Sequence, residues 1–279
     1  MSRFVVRWVV LAAVVAAVFS LSSPVFAQWL KYPTAGVPRT PDGKPNLAAP
    51  TPRMPDGKPD FSGIWLTANT NCPPSADPES IMCGVELPMG KDGVNMGASL
   101  PGGLPYQPWL AALVKKRTAE DAKDDPHVRC LPDTFLRAYS VPHLIKIVQA
   151  PGLVVMLNEL NAGYRQVFAD NRPFPEDPTP SWQGYSSGTW EGDTLVVNSI
   201  GFRDDLWIDW NGSVITSAAK VQERIRRPNY GRLEIEVTVD DPKAYTRPWT
   251  VTLRQRLALN TELVDEICLE NEQSHQRMK

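Results

Sequence analysis

Four ionisable side chains fall where three successive apolar runs begin or end, and their types suit proton transfer. His143 opens a run in which Ile145 and Ile147 share its face while Lys146 takes the other, so an inward apolar face carries the imidazole inward too. Glu159 closes the next run, and Tyr164 and Arg165 open the third. In a three-strand meander the four share a neighbourhood. A carboxylate, an imidazole and a guanidinium in a partly dry cavity can exchange protons with a guest near neutral pH. In that reading His143 moves the proton, Glu159 orients it or serves as a second base, and Arg165 and Tyr164 stabilise developing negative charge. The alternative is a satisfied salt bridge at a barrel rim.

The second pattern is steric. Trp182, Gly184, Ser186, Gly188 and Trp190 are spaced two apart, then Glu191-Gly192-Asp193 turns the chain into the apolar Leu195, Val196 and Val197. Strand side chains alternate, so all five share a face and the glycines leave room between the indoles. This predicts an aromatic wall for an apolar or aromatic small molecule, with Trp182, Ser186 and Trp190 as binding residues. Tyr245 and Trp249 close the pocket from a later loop, with core packing the alternative for Trp249.

Other chemistries fit less well. Gly184-Tyr185-Ser186-Ser187-Gly188 matches the Gly-x-Ser-x-Gly of serine hydrolases, but that serine must sit on a strand-to-helix elbow, and here a hairpin follows. The remaining partner, His275, lies four residues from the last residue of the sequence. Phe202, Asp204, Asp205, Trp207, Asp209 and Trp210 offer carboxylates among indoles, as glycosidases do. Confined to one turn-rich segment, such acids more often cap turns. His127, His143 and His275 lack metal-ligand spacing and no glycine-rich loop opens a helix, so neither metal nor cofactor is expected.

The elements that position these residues are mostly strands. Short apolar runs at 143–150, 152–159, 163–170, 182–190, 193–201, 214–227, 231–240, 247–258 and 262–270 are separated by turn signals such as Asn161-Ala162-Gly163 and Asn229-Tyr230-Gly231. Phe61 to Leu66 is a further strand. Consecutive short strands predict a mainly β fold, an antiparallel lipocalin-like (calycin-type) β-barrel with an N-terminal extended strap and one or two helices. One helix is expected near 107–124, with Pro108 in its first turn and Trp109, Leu110, Leu113 and Val114 on one stripe. Residues 70–105 read as an irregular loop that could cover the barrel mouth. Residues 28–60 form the strap, where Pro38-Arg39-Thr40-Pro41-Asp42-Gly43-Lys44-Pro45 returns fourteen residues later as Pro52-Arg53-Met54-Pro55-Asp56-Gly57-Lys58-Pro59. Residues 61–279 are expected to be a single barrel domain.

Several of these segments together resemble a family of exported bacterial proteins of unassigned activity. They are Asp56-Gly57-Lys58-Pro59-Asp60-Phe61-Ser62-Gly63-Ile64-Trp65, Asp125-Pro126 with Cys130-Leu131-Pro132, the segment Trp190 to Val197, and Asp241-Pro242-Lys243-Ala244-Tyr245 with Pro248-Trp249. The resemblance covers most of the chain after residue 27 and implies the domain extent and export. It carries no reaction.

Composition narrows the class. Residues 1–27 read as a secretory signal peptide, with Arg3 and Arg7 before an apolar run that ends at Val25-Phe26-Ala27, so a periplasmic or secreted protein without a permanent membrane anchor is expected. With 29 basic and 31 acidic residues the net charge is −2, which leaves no electrostatic footprint for nucleic acid. Cys72, Cys83, Cys130 and Cys268 allow three pairings. Cys72 with Cys83 and Cys130 with Cys268 is favoured, the first as a local pair and the second as a tie to the last strand; buried free thiols are the alternative. The functional expectation is cofactor-free acid/base chemistry of lyase, isomerase or cyclase type on the bound molecule, with a non-catalytic carrier as the alternative.

Overall fold

The computed structural model describes residues 32–67, 89–90, 93–264 and 266–268. Its strands are β1 (Gly63–Thr67), β2 (Met89–Gly90), β3 (Gly93–Val94), β4 (Ile145–Ala150), β5 (Leu153–Asn158), β6 (Tyr164–Phe168), β7 (Tyr185–Glu191), β8 (Thr194–Ile200), β9 (Leu206–Trp207), β10 (Val214–Ile215), β11 (Lys220–Asn229), β12 (Arg232–Asp240) and β13 (Trp249–Leu257). Among the described residues two α-helices, α1 (Pro108–Ala119) and α2 (Phe135–Ala138), precede β4. Among the described residues no helix is long and apolar enough to cross a membrane.

Nine strands close a barrel in the order β1-β13-β12-β11-β8-β7-β6-β5-β4. Nine is odd, and strict up-down alternation cannot close an odd ring, so at least one neighbouring pair must run the same way. That pair is β6–β7, joined in parallel only through Val167↔Ser186 and Phe168↔Ser187. The sheet is therefore mixed, not the wholly antiparallel meander expected from the turn signals. The reason lies in residues 169–184. Asp170-Asn171-Arg172-Pro173 begins like a hairpin, but Pro173, Pro175, Pro178 and Pro180 lack ladder donors and carry the chain back to the end where β6 began.

Alternation sets what the barrel contains. Val221, Glu223, Ile225 and Arg227 of β11 are buried, as are Leu233, Ile235, Val237 and Val239 of β12. Arg165 and Val167 of β6 and Ser186 and Gly188 of β7 are buried in the same rhythm. The middle of the barrel is filled by one continuous apolar cluster that includes Trp65, Ile147, Met156, Leu195, Val197 and Ile235. Burying such side chains is the main favourable term in the fold.

Each barrel end is covered differently. At one end Tyr106 bridges Tyr245, and the Trp109 indole of α1 donates to Lys243 O at 2.8 Å. The β9–β10 hairpin lies against the same cap, with Arg117 of α1 donating to Gly212 O at 2.9 Å and stacking over Trp207. At the other end sits the 32–60 segment, where Tyr230 N donates to Ala49 O and Gly231 N to Leu47 O, both at 2.8 Å. Both copies of the repeat take one shape. Arg39 pairs with Pro45 and Arg53 with Pro59, while Gly43 and Gly57 adopt φ of 85° and 82° at the tip of each turn. Cys130 and Cys268 form a disulfide across a separation of 138 residues; Cys72 and Cys83 lie outside the described residues.

Candidate ligand cleft at the parallel junction

Because β6 and β7 pair only over their last and first halves respectively, Tyr164–Gln166 and the residues before Ser186 stand apart. A cleft of about 550 Å³ opens between them on the barrel flank. Trp182, Phe168 and Tyr185 supply aromatic walls, Gly163 and Gly184 its narrow sides, and Arg165 and Ser186 its floor. Arg203 lies over the Trp182 ring at 5.1 Å and fixes one wall, while Phe168 and Tyr185 meet with centroids 5.3 Å apart and fix another. Gly184 is required here: its φ is +64°, and a Cβ would come within 2.7 Å of both Ile200 O and the Phe202 ring.

Behind the floor, inside the barrel, lies a fully bonded polar network. Arg165, 3 % exposed, donates from Nη1 to Glu223 Oε1 and to the Tyr139 hydroxyl, each at 3.0 Å, and from Nη2 to Glu223 Oε2. Its Nε and Nη2 also reach Ser186 Oγ at 3.1 and 3.0 Å, and Nη2 reaches Ser199 Oγ at 3.0 Å. The guanidinium lies 3.5 Å from the Phe135 ring centroid. Burial by itself would lower the Arg165 guanidinium, but the charge of Glu223 and the bonds within the network outweigh it and hold it above its ordinary value. Burial, then the Glu223 charge, push the Tyr139 phenol well above its usual range, so it stays a hydrogen-bond donor. A void of about 20 Å³ beside Tyr139 and Arg165, room for roughly one water, is the space left next to this network.

Of the residues expected to act as acid or base, only Arg165 enters this network. Tyr164, its neighbour, points away from the barrel interior as alternation demands, is 66 % exposed, and lines the cleft on its outer side. His143 precedes β4 and is half-buried, with Nε2 3.9 Å from Glu266 Oε1. Glu159 turns back on the chain, where Oε2 accepts from Leu144 N at 3.1 Å. The strands are neighbours but the side chains diverge.

The aromatic residues divide likewise. Ser186 and Gly188 do face inward, but Trp182 and Trp190 are eight residues apart, about 26 Å along an extended chain, too far to flank one small guest. Trp182 walls the cleft. Trp190 closes the far end, 5.3 Å from Phe61 and beneath Lys58. Tyr245 and Trp249, 1 % and 3 % exposed, lie under the other cap, their rings 5.4 Å apart and the Tyr245 hydroxyl on Val214 O at 2.8 Å. Both pack the core outside the cleft.

The other motifs resolve into structure. Ser186 sits mid-strand with its hydroxyl on Arg165 and Ser199, not on an elbow, and His275 lies outside the described residues. Asp205 pairs with Arg117, Asp204 accepts from Ser217 N, and buried Asp209 accepts from the Met96, Asn211 and Ser213 amides. Among the described residues no group of three or more His, Cys, Asp or Glu is placed to hold a metal. The network also uses Tyr139 and Glu223, which are not among the candidate site residues above; a charged strand face is the ordinary reading of Glu223 beside Arg224, Arg226 and Arg227, but Glu223 is fully buried. Glu223 had a signal: it interrupts the inward row Val221, Ile225 with an acid, which needs a buried partner. Comparison with protein-family models, with curated proteins and with solved structures finds no match for this chain.

Proposed function

We propose that the protein binds an apolar or aromatic small molecule in the flank cleft between β6 and β7 and acts as a non-catalytic carrier or binding protein in the cell envelope, following export directed by residues 1–27. The cleft volume carries this reading, since about 550 Å³ lies within the range of small-molecule sites. Tyr164, Phe168, Trp182 and Tyr185 give its lining aromatic surface. The nearby charge is already spent: the Arg165 donors go to Glu223, Tyr139, Ser186 and Ser199, so the floor offers a guest shape and a polarised surface but no idle base. The guest lies against the barrel flank and not inside the strand ring, where a lipocalin would hold it. Trp182 is the principal stacking surface, with Phe168 and Tyr185 opposite.

The test is mass spectrometry under non-denaturing conditions on protein recovered from its native envelope, followed by titration with the neutral fluorophore N-phenyl-1-naphthylamine. A bound apolar or aromatic molecule is expected, and Trp182→Ala should weaken the fluorophore at least tenfold. Equal affinity in the wild-type and Trp182→Ala proteins would remove the cleft from the account.

A further inference from the structure

A second cavity, about 520 Å³, lies between the 32–60 segment and the barrel end at Tyr230 and Leu257. Its walls are largely apolar, with Pro33, Pro52, Ile64, Tyr230, Leu257 and Ala258. Two of its four charged residues neutralise each other, and a third has a backbone partner. Lys146 Nζ holds both oxygens of Glu262 at 2.7 Å, and Asp60 Oδ1 accepts from Ser62 N at 2.8 Å. The fourth is Arg227, which is only 5 % exposed.

Every hydrogen bond of Arg227 goes to a neutral carbonyl: Nε and Nη2 to Tyr230 O, and Nη1 to Asp60 O at 2.5 Å and Ser62 O at 3.4 Å. The faces of the guanidinium rest on the Trp65 and Tyr230 rings at 4.9 and 5.1 Å. Four bonds occupy four of five N–H groups, and the remaining one is on Nη2. Arg165, the other buried guanidinium of the barrel, has a carboxylate in contact; Arg227 has none among the described residues. Burial, only partly offset by the nearby charge of Asp60 and by Tyr230, brings the Arg227 guanidinium down to about 10. A buried cation whose hydrogen bonds all go to carbonyl dipoles, with the Asp60 carboxylate near but not bonded to it, gains from an anion that can reach its free N–H.

We propose that this cavity is a second ligand site, for an organic carboxylate whose charged end meets Arg227 and whose apolar body lies along the Pro33, Pro52 and Leu257 walls. An inorganic anion would satisfy the cation but leave those walls unused, so an amphipathic acid fits better. Because the cavity is formed on one side by the strap, occupancy also ties the strap to the barrel.

The experiment is calorimetric titration of the full chain with benzoate, with its neutral isostere benzamide and with inorganic phosphate. Saturable benzoate binding is expected, at least tenfold tighter than benzamide or phosphate. It should be lost in Arg227→Gln and unchanged in Trp182→Ala, which alters only the flank cleft. Should Arg227→Gln fail to fold, Ala35→Trp, which fills the cavity from its strap side and leaves Arg227 intact, is expected to abolish binding. Benzamide or phosphate binding as tightly as benzoate would overturn the proposal. So would benzoate binding that survives Ala35→Trp, or that is lost only in Trp182→Ala.

Discussion

At the scale of single residues, the charge inside the barrel is neutralised by one buried pair and its hydrogen bonds. Arg165 and Glu223 face each other from opposite walls of the barrel, and Tyr139, Ser186 and Ser199 take up the remaining donors and acceptors. Removing one member of a buried pair strands the other, at a cost of about 3–5 kcal/mol, whereas replacing both with apolar side chains is often neutral. Glu223→Gln is therefore expected to lower the unfolding free energy by about that amount in urea titration, and Arg165→Met with Glu223→Met to recover most of it. A double variant as unstable as the single one would mean that the network is not a balanced pair. His127 gives a pH signature. Its Nδ1 lies 2.8 Å from Asp133 Oδ2, and that bond raises the imidazole above its ordinary value despite burial. A raised folded-state value means stability fully present below about pH 6.5 and lost as pH rises through the folded value. Wild type should therefore exceed His127→Gln in stability by more at pH 5.5 than at pH 8.5; equal differences would contradict the assignment. Little of this was legible, since pairing across a barrel joins residues 58 positions apart in sequence.

At the scale of elements, strand positions were readable and one direction was not. The runs expected at 163–170 and 231–240 are β6 and β12, because alternation and turn residues are local signals. The run at 214–227 divides into β10 and β11, with Thr216 to Ala219 turning between them. Residues 262–264 form no strand, and β1 takes the place beside β13 that a last strand would have held. The reversal before β7 was hidden because Asn171-Arg172-Pro173 reads as a local turn, while the return path depends on prolines beyond it. The cleft follows from that reversal, and Gly184 tests it. Gly184→Ala places a Cβ 2.7 Å from Ile200 O at a φ of +64°. It should lower the thermal midpoint by more than about 1 kcal/mol of stability would account for. Gly188→Ala has an ordinary φ, and its Cβ meets Leu195 at 3.1 Å and Val167 at 3.4 Å, contacts that flexible side chains can yield. A smaller loss is expected at 188, and the reverse order would count against the packing described for this wall.

At the scale of the whole molecule, the barrel was expected as a container and is found as a filled body. Among the described residues, its interior holds an apolar cluster and an ion-pair network, its ends are plugged by Trp190 with Phe61 and by Tyr245 with Trp249, and the two cavities described above lie on the flank and under the strap. Period-two patterning tells which side chains face inward but not whether they leave a hollow, because that depends on how nine strands fill one another's gaps. The most direct measurement is two-dimensional amide NMR of the folded chain titrated with N-phenyl-1-naphthylamine. Saturable shifts are expected at Gly163, Gln166, Ser181 and Gly184, around the opening between β6 and β7, with the amides of Ile235 and Val237 in the barrel wall unmoved. Shifts concentrated on the strap or on the Tyr245 cap, with those four amides still, would show that the parallel junction is not where the molecule takes up its guest.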